Sequence, residues 1–219
     1  MPDTPDRLRI ELGVSRETLE RLETHRRLLA AWAPRINLVG PGELAHYWVR
    51  HALDCAQLLR QAPPAARRWL DLGAGAGFPG LVIACCLAET EGQAEVLLVE
   101  QNAKKAAFLR EAIRETGAPA RVFHGKIESL DPQEAFDVVT ARALAPLSRL
   151  MAHAKPWLDR GALGLFPKGA DYGSELQAAG FPPDGGPDGG GGGAFEAVVL
   201  ESLSDPAARL LRIRKARTE

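Results

Sequence analysis

The sequence predicts an α/β protein: a mostly parallel, Rossmann-like sheet with helices on both faces, preceded by a helical extension. Three observations predict it. A glycine-rich stretch, Asp71-Leu72-Gly73-Ala74-Gly75-Ala76-Gly77-Phe78-Pro79-Gly80, lies between a short apolar run and a helical apolar pattern. From Arg68 onward, short apolar runs alternate with helical patterns, as parallel strands joined by right-handed crossovers do. The predicted strands end in polar, acidic or glycine-rich segments, and an open sheet of this kind binds its ligands beyond those ends.

The chain has 219 residues, enough for one sizeable core and an extension. We divide it into a helical extension, 1–66, and a core, 67–219. Hydrophobic residues make up 46% and charged residues 25%, as in soluble globular proteins. The formal net charge is −1, so a nucleic-acid partner has to be argued from local basic clusters. The three cysteines, Cys55, Cys85 and Cys86, form no C-x-x-C pair. They read as small buried hydrophobes in a reducing cytosol, with no disulfide framework and no metal site. No apolar run reaches membrane-spanning length, and the N-terminus lacks a signal-peptide apolar core. Nothing demands a dimer, so a cytoplasmic monomer is expected.

Residues 1–14 are weakly patterned. Ser15 is a plausible cap for a helix carrying Leu19, Leu22, Leu29, Trp32 and Ile36 at helical spacing. Asn37 to Gly42 is a turn. A second helix, about 43–61, carries Arg50, His51 and Asp54, and Pro63-Pro64 ends it. His51 and Asp54 are three apart and share a helix face, where they could pair. The core then offers strands ending at Asp71, at Val99 before Glu100, at His124, at Thr140 and at Phe166. Helices lie between them, about 102–116 and 146–158 in the later part. Two final strands, 197–200 and 210–213, are expected as antiparallel neighbours. On the last, Arg212 and Arg214 share one face, open to a phosphate. Residues 182–193, rich in Gly and Pro, read as a flexible loop.

Two cofactors use such a glycine loop. Gly75-x-Gly77-x-x-Gly80 spells the dinucleotide fingerprint, with Glu100 at the ribose position. The alternative is S-adenosylmethionine (SAM), read from Asp71-x-Gly73-x-Gly75-x-Gly77. SAM is favoured because Asp71 would meet its cationic amino group but repel a pyrophosphate. The first fingerprint glycine also falls several residues past the strand, and too little chain remains for a separate substrate domain. In this reading Glu100 takes the ribose hydroxyls, Ile127 and Glu128 the adenine, and Thr140-Ala141-Arg142-Ala143 lies nearest the reacting methyl group. Together these strand ends match the class I SAM-dependent methyltransferase arrangement. The stretch after the fourth strand has no Asn-Pro-Pro-Tyr and no cysteine. Guanine N7 carries an unprotonated lone pair, so its methylation needs alignment and no general base. Lys104, Lys105, Lys126, Arg142 and Lys168 around the mouth tilt the acceptor to RNA. Methyl transfer to a small molecule or protein, or a non-catalytic nucleotide-binding module, stay open on the residues alone.

Four segments carry a resemblance: Leu70 to Gly80, Val49-Arg50-His51-Ala52-Leu53-Asp54, Lys104-Lys105-Ala106-Ala107-Phe108-Leu109-Arg110 and Thr140-Ala141-Arg142-Ala143-Leu144-Ala145-Pro146-Leu147. With Asn37-Leu38, they resemble the bacterial small-subunit rRNA methyltransferase G (glucose-inhibited division protein B) family. The resemblance runs from about residue 15 to the C-terminus. It implies N7 methylation of one guanosine in the decoding-region loop of 16S rRNA, with SAM as donor and naked rRNA or the small ribosomal subunit as partner. It implies cofactor contacts from Gly73, Phe78, Glu100, Ile127 and Glu128, to which the glycine motif adds Asp71, Gly75 and Gly77. Arg142 would hold the methionine side or the target base as the catalytic residue. His51, Lys104, Lys105 and Lys168 are the expected RNA contacts, although Pro167 before Lys168 departs from the family's usual residue.

Overall fold

The computed structural model describes residues 3–40, 42–89, 93–184 and 194–216. Seven strands form one sheet in the order β3-β2-β1-β4-β5-β7-β6. They are β1 (Arg68–Leu72), β2 (Glu95–Glu100), β3 (Ala120–His124), β4 (Val138–Thr140), β5 (Leu163–Lys168), β6 (Phe195–Glu201) and β7 (Arg209–Lys215). The first five run parallel, while β7 is antiparallel to both β5 and β6. The expected terminal hairpin is therefore present, and it inserts β7 between β5 and β6. A dinucleotide-binding sheet, with strand order 3-2-1-4-5-6, has no such insertion. Arg214 pairs across the hairpin with Glu196 (2.8 Å), so that arginine is engaged by its neighbour strand.

Alternation along the strands sends side chains to two apolar layers. Trp69, Val96, Leu98 and Val138 face α2 (Arg16–Trp32), α4 (Gly80–Leu87) and α5 (Ala103–Thr116). Leu70, Leu72, Leu97 and Val139 face α6 (Leu147–Leu158) and α7 (Tyr172–Ala178). The caps follow from local chemistry. Ser15 Oγ accepts the Thr18 N–H (2.9 Å), Asn102 Oδ1 accepts the N–H groups of Lys104 and Lys105, and Gly117 ends α5 in the left-handed conformation. Trp32 and Leu29 of α2 pack into the core, Trp32 edge-on against Phe108.

The structure departs from expectation in three places. Residues 1–14 contain a helix, α1 (Asp6–Leu12); its one fully buried side chain, Leu8, gave no period to read. Residues 172–178 form α7, again with a single buried residue, Leu176. The segment 43–61 is not one regular helix. A 3₁₀ turn (Glu43–His46) leads into a π-helical stretch (Tyr47–Leu53), α3 (Asp54–Ala56) and a second 3₁₀ turn (Gln57–Gln61). Such π segments recur at functional sites, and this one carries Arg50 and His51. Of the Gly-rich stretch 182–193, residues 185–193 lie outside the described residues. Among the described residues, no helix is long and apolar enough to cross a membrane.

Candidate active site: two clefts with a shared wall

Beyond the carboxyl ends of β1 to β3 lies a cleft of about 410 Å³. It gathers Gly73 and Gly75 from the loop after β1, Glu100 from β2, Gly125 to Glu128 after β3, and Ala143 to Ala145 after β4. Glu100 is its fixed point. Its Oε2 accepts the Gly75 N–H (2.9 Å) and its Oε1 the Asn102 N–H (2.7 Å), so one carboxylate holds both flanking loops. Each oxygen retains acceptor capacity for a ligand hydroxyl. Gly73 has φ +74°, and a Cβ there would stand 2.6 Å from Leu144 Cδ1. Only glycine brings the backbone to this wall. Lys105, Lys126, Arg149 and His153 complete the lining, and Lys104 is exposed at the start of α5.

A second, wider cleft of about 720 Å³ lies on the other side of Ala143-Leu144-Ala145, which line both. Its remaining walls come from the extension (Arg50, Asp54), the end of β5 (Pro167, Lys168), α7 (Glu175) and the β6–β7 turn (Ser204, Asp205). Ala143 holds φ +52° without being glycine, a strained conformation of the kind found at binding sites.

Arg142 lines the second cleft and not the first. Its Nη2 donates to His51 Nδ1 (2.7 Å). Its Nη1 donates to the Arg50 carbonyl (3.2 Å) and lies 3.1 Å from Asp54 Oδ2. Its guanidinium also covers the Phe78 ring at 5.5 Å, and Phe78 stacks on His51 with centroids 4.7 Å apart. His51 and Asp54 thus do not pair with each other; both hold Arg142. Because arginine only donates, His51 Nδ1 must accept, which leaves the ring neutral with its proton on Nε2. That atom has Glu43 Oε2 3.2 Å away, without a well-aligned hydrogen bond. Burial, then the charge of Arg142, push the His51 pKa down to about 3. Burial raises Asp54 above the ordinary carboxylate value, against the pull of Arg142.

Three expected cofactor contacts, Asp71, Gly77 and Phe78, are not among the residues that line the first cleft. Asp71 is fully buried on the α4 side of β1. Its Oδ2 accepts the Gly80 N–H (2.9 Å), and its Oδ1 has no partner among the described residues. It caps the start of α4 and does not line the first cleft. Gly77 (φ +91°) gives room to Leu81, and Phe78 packs under Arg142. Strand periodicity does not show this orientation: Asp71 ends the apolar run, and its side chain points sideways into a packed layer.

Burial raises the Asp71 pKa to about 7, from an ordinary 3.8. The fold therefore binds a proton that the unfolded chain has released, and stability falls as pH rises from about 4 to about 7. Asp71→Asn keeps an acceptor for Gly80 and removes the titration. Relative to the parent, its urea midpoint is expected to rise progressively across that window. A constant difference from pH 4 to pH 8 would remove Asp71 as the source.

Sequence reasoning missed the residues that come from distant chain. His25 of α2 is fully buried beneath the glycine loop. Its Nε2 bonds the Ala76 carbonyl (2.8 Å) and its Nδ1 the Tyr47 hydroxyl (3.0 Å). Burial lowers its pKa to about 4, so the neutral ring donates from Nε2. Glu43, Tyr47 and Glu175 were likewise invisible, because no local pattern marks a partner so far along the chain.

The first cleft fits SAM. It offers a clamped carboxylate at the ribose position, the Ile127–Glu128 edge for adenine, and a Gly73 backbone that a Cβ would block. Comparisons with known proteins give the family. Residues 18–181 match the family model for rRNA small subunit methyltransferase G (GidB). The ribosomal RNA small subunit methyltransferase G of Methylobacterium radiotolerans is 51% identical over 214 residues, covering 95% of this chain and 94% of that protein. The protein of the same name from Methylobacterium nodulans is 46% identical over 209 residues, covering 95% and 93%. The crystal structure of the O-methyltransferase TomG from Streptomyces achromogenes, in complex with SAM, superposes with a TM-score of 0.56 at 16% identity. It covers 95% of this chain and 93% of that one, and at such identity it speaks for the fold alone. With the family model spanning most of the chain and the relatives matching nearly end to end, the chain belongs to the rRNA small subunit methyltransferase G family.

Proposed function

We propose that this protein transfers a methyl group from SAM to N7 of a guanosine in the decoding-region loop of 16S rRNA, in the bacterial cytosol. The observation that carries the reading is the shared wall: donor and acceptor clefts meet at Ala143-Leu144-Ala145. Three of the side chains near that wall are held by protein partners. Asp54 faces Arg142 and accepts from Ser204 Oγ (2.7 Å), His51 accepts from Arg142, and Lys168 bonds Glu175 and the Ala145 carbonyl. None of them is a free base. N7 needs none, because its lone pair is already unprotonated. When bound, SAM supplies an electrophilic methyl on a sulfonium, and the positive charge passes to the base. The protein's part is positioning, which can supply several kcal/mol on its own. Glu100 anchors the cofactor side, and Arg142 ties the extension to the wall of the acceptor side.

The test is transfer of labelled methyl from SAM to small subunits and rRNA of a methylation-deficient strain, followed by nucleoside analysis. Label in 7-methylguanosine at one site is expected. Label in another nucleoside overturns the acceptor assignment, and label in protein or small molecules overturns the RNA substrate. Lys104, Lys105, Lys126 and Arg149 beside the first cleft supply the phosphate contacts in this reading. RNA affinity is therefore expected to fall steeply between 50 and 200 mM salt, by about tenfold or more.

A further inference from the structure

We infer that Lys168 and Glu175 read the O6–N1 edge of the target guanine in the second cleft; this rests on the guanine-N7 reading above. Lys168 was expected as an RNA contact, with no partner in the protein named. Instead its ammonium is largely enclosed, its side chain 10% exposed, with Nζ 3.1 Å from the Ala145 carbonyl and 2.7 Å from Glu175 Oε2. An ammonium has three N–H groups, so one remains. Glu175 Oε2 also accepts the Leu147 N–H (2.7 Å), which fixes the carboxylate. Its Oε1 has no hydrogen-bond partner among the described residues, and the side chain is 28% exposed in a position that lines the cleft. The pair therefore presents a fixed donor beside a fixed acceptor.

Guanine presents the complement: O6 accepts and N1–H donates. Adenine presents the reverse, an amino donor at C6 and an acceptor at N1, which would face the Glu175 carboxylate with a lone pair. A site built to hydrogen-bond one pattern rejects the other strongly, because its own polar groups are left unpaired. The order along the base also agrees. Lys168 is bonded to Ala145 in the shared wall, and Glu175 to Leu147, two residues further on. On guanine, N7 is followed by O6 and then by N1. With N7 at the wall, Lys168 meets O6 and Glu175 meets N1–H. Bases that undergo chemistry are read this way once flipped from their stack, through the Watson–Crick edge.

The Glu175 contact also favours the reaction. Methylation at N7 makes the base cationic and its N1–H more acidic, so this hydrogen bond strengthens as the methyl group transfers. An interaction stronger in the transition state than in the ground state raises kcat.

The experiment uses small-subunit RNA carrying guanosine, inosine or 2-aminopurine at the target position, with the parent protein and Glu175→Gln. Inosine keeps O6 and N1–H and is expected to be methylated within a few-fold of guanosine. The 2-aminopurine RNA lacks O6 and has an acceptor at N1, and is expected to fall by about 100-fold. Glu175→Gln is expected to lower kcat/KM on guanosine by roughly 10- to 100-fold, mainly in kcat, with SAM affinity unchanged. It should also narrow the preference for guanosine over 2-aminopurine, which a merely structural role would not do. Equal methylation of 2-aminopurine and guanosine by the parent, or an unchanged preference in the variant, overturns the pair. If Glu175→Gln does not fold, the base series on the parent decides alone. A parent protein that makes no 7-methylguanosine overturns the function itself, a different result from either.

Discussion

Replacing Arg142 with alanine is expected to loosen the fold as well as to stop methyl transfer. From sequence, Arg142 was expected as a site residue. In the structure its guanidinium is also the partner of a buried carboxylate. Asp54 is 9% exposed, and burial already raises its pKa. Removing one member of such a pair leaves an uncompensated charge and costs about 3–5 kcal/mol. The deficit should shrink as pH falls, because burial already raises the Asp54 pKa and without its cation the carboxylate takes up a proton more readily. Arg142→Ala combined with Asp54→Asn is expected to recover much of the thermal stability. It should not recover activity, since the tie from the wall at Ala143 to Arg50 and His51 is still missing. A double variant that regains both would make Arg142 a structural residue only. A single variant with parental stability would show that Asp54 does not depend on it.

Glu100→Ala is expected to abolish cofactor binding at working concentrations, with affinity for SAM falling at least about 100-fold. The carboxylate anchors Gly75 and Asn102 at once, and each charge-assisted hydrogen bond is worth about 1.5–3 kcal/mol. Its removal frees the loop on one side and the start of α5 on the other, and takes away the acceptors for the ribose. Glu100→Gln should be intermediate: an amide has one acceptor oxygen, so it can satisfy Gly75 or Asn102 but not both. Equilibrium binding of SAM separates the three. Parental affinity in Glu100→Ala would remove Glu100 from the cofactor site, whatever happened to catalysis.

Much of this molecule was legible in the order of its residues. Strand–loop–helix repeats placed the five parallel strands, and the final hairpin followed from two short apolar runs with too little chain between them for a crossover. Ser15, Asn102 and Gly117 marked helix ends through chemistry that acts within a few residues. Gly73, Gly75, Glu100, Ile127 and Glu128 were expected together, and they line one cleft because a parallel sheet delivers its strand ends to the same edge. A cofactor cleft there is a consequence of topology.

The contacts of the long side chains were not legible. Asp71 reads identically whether it points into the cleft or into the layer beneath. The pleat decides, and it packs Asp71 against Gly80. His51 and Asp54 share a face in any helix, but the π-helical stretch and the loop after β4 bring Arg142 between them. Lys168 looked like a free cation until α7, a helix with one buried residue and no readable period, placed Glu175 against it. Periodicity, caps and turns are local, so the sequence by itself determined the sheet, the glycine loop and the family. Which polar groups meet across the two clefts depends on segments far apart in the chain, whose meeting is set by how the extension and the last helices pack on the sheet. The tertiary structure alone decided that.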